Sequence, residues 1–160
     1  MPSPLAVCLW FDGQAEEAAQ FYVSVFPDGR LGRTARYNEA GPGPEGSVMA
    51  VEFEVNGLQF TGLNGGPQFT FSEAISIQIP CADQAEVDYY WDKLTEGGEE
   101  GPCGWLKDRF GVSWQVFPAE LIALNSDPDP VKAARTMRAM MQMGKLDLAA
   151  LRRAHAGEEG

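Results

Sequence analysis

The sequence predicts an α+β fold of two βαβββ modules followed by C-terminal helices. Three observations carry that prediction. The chain repeats itself at a fixed offset, each copy reads as strand, helix and three strands, and the tail after the second copy switches to helical periodicity.

The repeat is seen by sliding the chain 68 residues, which places Leu9 on Ile77 and Phe11 on Ile79. The same shift places Ala19, Tyr22, Val23 and Phe26 on Val87, Tyr90, Trp91 and Leu94, and Gly29 on Gly97. Each set of four has the spacing i, i+3, i+4, i+7, one face of an amphipathic helix. A short alternating strand precedes each helix, and a glycine follows it as a stop signal.

Three strand-like runs follow the first helix, at 30–38, 47–55 and 58–64. The loop GPGPEG separates the first two, and Asn56-Gly57 separates the second pair as a two-residue hairpin turn. NGGPQF, 64–69, joins the halves. After the second helix the runs are shorter, around Glu99–Gly101, Gly104–Lys107 and Val112–Phe117, with Phe110-Gly111 in the turn before the last. The modules therefore occupy about 4–66 and 72–118 of one duplicated domain, 1–126.

Residues 127–156 read as a helical extension of that domain. DPDPVKAARTMRAMMQMGK begins with Asp before Pro and ends at Gly144, and Ala133, Ala134, Met137, Met140 and Met141 form an apolar stripe. KLDLAALRRAHAG adds a short helix with Asp147 as its cap. The stripe must be covered, either by its own sheet or by a second subunit.

Bulk composition excludes some functions. A chain of 160 residues suits one domain, and 12 basic against 23 acidic residues give a net charge of −11. That field repels polyanions, so no nucleic-acid partner is expected. Cys8, Cys81 and Cys103 form no CxxC pair, and an odd count points to free thiols in a reducing compartment, hence a cytoplasmic protein. MPSPLAVCLWF has no positive n-region, and no apolar run is long enough to span a bilayer, so neither a signal peptide nor a membrane association is expected.

The words LWFDGQAEEAAQFYVSVFP, FTGLNGGPQF, CGWLKDRFGVSWQVFP and MGKLDLAAL, set in a duplicated βαβββ frame, resemble the vicinal oxygen chelate superfamily. That superfamily holds glyoxalase I, extradiol dioxygenases, and the fosfomycin and bleomycin resistance proteins. The chain is more narrowly similar to its PhnB-like branch, whose members are often labelled 3-demethylubiquinone-9 3-methyltransferases. No glycine-rich strand-to-helix nucleotide loop accompanies that label here. The resemblance implies a glyoxalase-like fold with two curled mixed sheets, and a homodimer. It also implies a cup whose metal ligands are His and Glu. Carried over one at a time, those positions fall at about Ala6 on the first strand, Ser76 on the fifth, Gln115 on the last and near Asn64 on the fourth. None is a good transition-metal ligand.

Strand alternation then selects the candidate site. Leu9, Phe11, Ile75, Ile77 and Ile79 are expected to meet the helices. Ala6, Cys8, Trp10, Ser76, Gln78, Ser113 and Gln115 are expected to face the cup. The candidate ligand-binding residues are Trp10, Phe60, Asn64, Ser76, Gln78, Ser113 and Gln115; among the aromatic walls only Trp10 and Phe60 have the favoured parity, whereas Trp105 and Trp114 do not. No cofactor is expected. A divalent metal held by other acids, such as Glu52, Glu54 or Asp12, is the alternative. Cys103, with Lys107 and Arg109 close in sequence, is the candidate reactive thiol. The single histidine, His155, lies in the charged tail, so no Ser–His–Asp set can form. Three functions stay open, and catalysis is undecided among them. The first is a metal-free small-molecule binding protein. The second is a lyase, isomerase or transferase of the superfamily, with or without metal. The third is a non-catalytic dimeric interaction protein.

Overall fold

The computed structural model describes residues 2–158, which divide into two compact units, one up to Phe71 and the other from Ser72 onward. Each contains one four-stranded mixed sheet with a helix against one face, as the duplicated pattern predicts.

The first unit runs β1 (Val7–Phe11), α1 (Ala15–Val25), β2 (Gly29–Arg36), β3 (Val48–Val55) and β4 (Leu58–Asn64). Its sheet order is β1-β4-β3-β2, with β1 parallel to β4 and the other pairs antiparallel. Asn56 and Gly57 both have positive φ, 46° and 86°, as a tight two-residue hairpin requires. The inner face of α1 buries Ala15, Ala18, Ala19 and Tyr22 against Leu9, Phe11, Val51, Phe53 and Val55. Tyr22 stacks on Phe53, which stacks in turn on Phe60, at centroid distances of 5.8 and 5.0 Å. Aromatic pairs of this kind add ~0.5–1.5 kcal/mol each beyond the area they bury.

One local expectation for this unit is corrected. Gly29 is not the stop of α1. The helix ends at Val25, with Phe26 in extended conformation donating its N–H to the Tyr22 carbonyl. Gly29 instead opens β2, where an added Cβ would come within 2.6 Å of the Val23 carbonyl oxygen, so close approach is what requires glycine there. The first turn of α1 is capped from outside the helix. That task falls to Asn64 on β4, whose Oδ1 accepts from the Ala15 N–H at 2.9 Å.

The second unit runs β5 (Ile77–Cys81), α2 (Gln84–Thr95), β6 (Glu99–Glu100), β7 (Trp105–Lys107) and β8 (Ser113–Pro118), then α3 (Glu120–Asn125), α4 (Pro130–Met140) and α5 (Leu148–Ala156). Its sheet order is β5-β8-β7-β6, with β5 parallel to β8. Val87, Tyr90, Trp91 and Leu94, the four residues the periodicity selects, are the buried face of α2. Asp83 caps that helix by accepting from the Glu86 N–H.

The tail forms the expected helices, capped by Asp129 and Asp147, and adds the short α3 that composition did not signal. Leu121, Leu146 and Leu151 make its core, packed by Phe117, Leu124, Ala139, Met140 and Met143. The apolar stripe is split. Met140 joins this core, but Met137 and Met141 are 43% and 57% exposed, and Thr136 is the buried residue of α4. Among the described residues, no helix is long and apolar enough to cross a membrane.

Candidate functional site

The DRFG turn places the last strand. Asp108 is buried, its Oδ1 accepting from the Phe110 and Val112 N–H groups at 2.8 and 3.1 Å. Its Oδ2 accepts from the Trp114 indole N–H at 2.8 Å. Gly111, at φ 89°, completes the turn. These bonds fix the phase of β8: Trp114 and Val116 enter the helix-side core, and Ser113, Gln115 and Phe117 point to the opposite face.

Register assembles the rest of that face. Gln115 lies opposite Gln78 on β5 and opposite Trp105 on β7, while Ser113 lies opposite Lys107. Gln115 Nε2 donates to Ser76 Oγ at 2.8 Å. A hydroxyl both donates and accepts, so the pair stays bonded with either orientation of the amide. Ser113 is 1% exposed, and its hydroxyl oxygen has no hydrogen-bond partner among the described residues.

A cavity of about 630 Å³ opens beside Ser113. Trp105, Lys107, Cys103, Met140 and Met141 form much of its wall, with Glu73 and Glu99 as exposed carboxylates. Lys107 and Glu73 form an ion pair. The hydrogen bond with Glu73 raises the Lys107 pKa, and the same bond lowers that of Glu73. Cys103 has a left-handed backbone (φ 57°), and its Sγ lies 3.6 Å from Met141 Sδ. The only imidazole is engaged elsewhere, His155 Nε2 lying 2.7 Å from Asp127 Oδ2.

The structure thus brings together Ser76, Gln78, Ser113 and Gln115 on one sheet face, with Gln78 the most open of them. Trp10 lies in the first unit, half-buried, turned away from the Leu9 and Phe11 face; its indole donates to the Gly66 carbonyl at 2.9 Å, and its ring meets the edge of Phe69. Phe60 and Asn64 also lie in the first unit. Phe60 is 2% exposed and belongs to the aromatic stack under α1, because it shares the face of Leu9 and Phe11 in the β1–β4 register. Asn64 shares that face too, and its side chain is spent on the backbone, accepting from Ala15 N–H and donating to the Val48 carbonyl at 3.0 Å. Trp105, read as off parity, is a cavity wall. Asp108, Lys107 and the carboxylates were missed as site-builders. The Asx-turn pattern of Asp two residues before Phe-Gly was the available signal for Asp108.

The donor set does not fit a transition metal. At the positions the resemblance assigns to ligands stand a methyl group (Ala6), a hydroxyl and amide bonded to each other (Ser76, Gln115), and an amide committed to helix capping (Asn64). Neutral oxygens of this kind bind zinc or iron poorly beside imidazole or carboxylate. Glu52 and Glu54 pair with Arg33 and Arg30 across the β2–β3 edge of the first unit. Among the described residues, no three His, Cys, Asp or Glu side chains converge to hold an ion.

Residues 3–117 match the family described as 3-demethylubiquinone-9 3-methyltransferase. The PhnB protein of Bacillus cereus is similar at 34% identity and a TM-score of 0.63, over 72% of this chain and 99% of its own. A protein from Pseudomonas aeruginosa shares the fold at 21% identity and a TM-score of 0.60, over 73% of this chain and 98% of its own. The fosfomycin resistance protein FosX of Mesorhizobium loti shares it at 14% identity and a TM-score of 0.53, over 74% and 92%. No curated protein sequence matches the chain.

Proposed function

The chain belongs to the 3-demethylubiquinone-9 3-methyltransferase family, the PhnB-like branch of the vicinal oxygen chelate superfamily, and from that membership we propose that it binds a small organic molecule on the open face of its second sheet, without a metal centre there. One observation carries the reading. Ser113 is buried beside a cavity of about 630 Å³ with its hydroxyl unpartnered among the described residues. A buried hydroxyl without a partner costs ~1–3 kcal/mol, so a site that keeps one is suited to an occupant that satisfies it. The volume lies in the usual range for small-molecule sites, and the wall is mostly apolar with a few placed polar groups.

The family name describes a methyl transfer. Two features of this chain give that chemistry no support. The sequence lacks a glycine-rich strand-to-helix loop, and both described sheets are mixed and four-stranded rather than doubly wound and parallel. A cytoplasmic location is supported by the free thiols Cys8, Cys81 and Cys103. Pairing of two copies is supported by the exposed Val131 and Met137 of α4 and Met141 at its C-cap, and light scattering giving a monomer mass at micromolar concentration would refute it.

The binding test is a fragment screen by thermal shift in chelator-treated buffer, followed by calorimetry on hits. Ligands are expected to bind without added metal and to weaken in Ser113→Ala. Binding that appears only on addition of zinc, manganese or iron would overturn the metal-free reading.

A further inference from the structure

The second-sheet cavity has a charge as well as a shape. Four charged side chains line it: Glu73, Glu99, Glu100 and Lys107. Glu73 is paired with Lys107. Glu99 sits opposite Lys107 in the β6–β7 register and also lines the cavity. Glu100 lines it as well, its Oε1 accepting from the Trp91 indole at 3.1 Å. Three carboxylates against one ammonium leave the lining net negative. The remaining wall is a tryptophan, Trp105, and two thioethers, Met140 and Met141.

Exposed glutamates alone would be ordinary solvated surface on a chain of net charge −11. Ser113 sets this place apart. It lies on the same sheet face as Lys107, is 1% exposed, and its hydroxyl is unpartnered among the described residues. A buried hydroxyl bordering a cavity calls for a polar atom inside it.

Resting on the small-molecule reading above, we propose that the cavity selects an organic monocation, an aromatic or aliphatic body bearing one ammonium group. The cationic head lies against Glu99, the body packs on Trp105, Met140 and Met141, and a heteroatom of the ligand bonds the Ser113 hydroxyl. An ammonium gains from the carboxylate and from the face of an indole ring. Thioethers adapt to varied apolar shapes. The acidic field of the whole chain favours arrival of a cation and disfavours an anion.

The test uses three probes of matched shape on the full chain: (2-naphthylmethyl)trimethylammonium, its uncharged isostere 2-neopentylnaphthalene, and 2-naphthylacetate. Calorimetry or Trp fluorescence gives their affinities. The cation should bind about tenfold tighter than the neutral isostere, and the anion weakest. Raising salt to about 0.5 M should shrink the gap. Glu99→Gln should weaken the cation, and Lys107→Gln should tighten it. A packing defect cannot produce both signs, and each variant is checked for its fold by circular dichroism. Equal or tighter binding of the neutral or anionic probe, with hits of the fragment screen still weakened by Ser113→Ala, would overturn the cation class and leave the binding site standing. A cation preference unchanged in Glu99→Gln and Lys107→Gln would also overturn it, by placing the cation elsewhere. Failure of all three probes, together with a silent fragment screen, would remove the binding reading itself.

Discussion

Gln115 donates its side-chain amide to the Ser76 hydroxyl at 2.8 Å, joining β8 to the residue just before β5. These are two of the positions at which the superfamily resemblance would place metal ligands. Here they bond each other, and the charge a metal would need is absent from both. The pair therefore does structural work, tying adjacent parallel strands, while presenting a neutral polar surface beside Gln78.

Restoring the acid at that position is expected not to restore a metal. In Gln115→Glu the carboxylate keeps Ser76 as a hydrogen-bond donor, but Ala6 and Ser76 still supply no imidazole or carboxylate. The new charge is half-buried and without a cation in the known bond network, so stability should fall by ~1 kcal/mol. Elemental analysis after incubation with zinc or manganese, and urea denaturation, check the two halves. Tight stoichiometric metal in the variant would contradict the donor argument.

Asp108 is expected to be among the most sensitive positions of the second unit. Three donors converge on its carboxylate, and hydrogen bonds to a charged acceptor are the strong kind. Asp108→Asn turns an NH₂ toward at least one of those donors, which should cost ~1.5–3 kcal/mol. Asp108→Ala should cost more, because a buried indole N–H and two amides lose their acceptor together. Urea midpoints measure the loss, and red-edge Trp fluorescence should report Trp114 moving.

Much of this arrangement was legible in the sequence. The 68-residue offset from Leu9 to Ile77 located both modules because amphipathic period and turn chemistry are local. The positions of Phe60 and Asn64 were not legible, since they depend on register. Parallel pairing of β1 with β4 sets Phe60 beside Val7 and Asn64 beside Phe11, and a one-residue change in pairing would reverse both faces. Ser113 and Gln115 fall on the face opposite Trp114 and Val116 because the Phe110-Gly111 turn fixes where β8 begins. Trp105 was misjudged because β7 is only three residues long and carries too little alternation to show its phase. The exposed half of the α4 stripe looked like core because composition cannot show that Thr136 takes the buried place by bonding the Lys132 carbonyl.

The C-terminal helix α5 should loosen in acid before the sheets unfold. Arg152 holds Glu120 at 2.6 Å, and that bond lowers the Glu120 pKa from its ordinary 4.5. The Asp129 N–H, and then His155, lower the pKa of Asp127 from 3.8. A carboxylate with a depressed folded pKa contributes stability above its ordinary pKa and loses it as pH falls through the folded value. Both contributions are therefore present at pH 6 and lost in the range below 4.5 and 3.8. Hydrogen exchange should show the Leu151 amide losing protection at pH 3 relative to the amides of β8. Equal loss across both elements would mean that acid unfolds the unit as a whole.

The three thiols should separate by reactivity, and the buried one should make the fold alkali-sensitive. Cys81, the last residue of β5, is 0% exposed, and burial is the main cause that pushes its pKa from 9.0 up to about 12. Cys8 is exposed, though partial desolvation still raises its pKa, and Cys103 lines the cavity. A disulfide reagent at pH 8 should therefore modify two thiols per folded chain, and a third only in denaturant, because the thiolate is the attacking species. Ligand in the cavity should protect Cys103 and leave Cys8 unchanged. The sign of the pH effect follows from proton counting. Between 9.0 and about 12 the folded chain keeps the Cys81 proton that the unfolded chain releases, so stability is full below that window and falls as pH rises through it. The slope should approach ~1.4 kcal/mol per pH unit for one such group. Cys81→Ser keeps a hydroxyl that does not ionise in this range, and Cys81→Ala removes the group. Urea titrations at pH 8 and pH 10.5 should show the wild-type loss shrinking in both variants. A loss of the same size in all three proteins would assign the alkaline sensitivity to other groups.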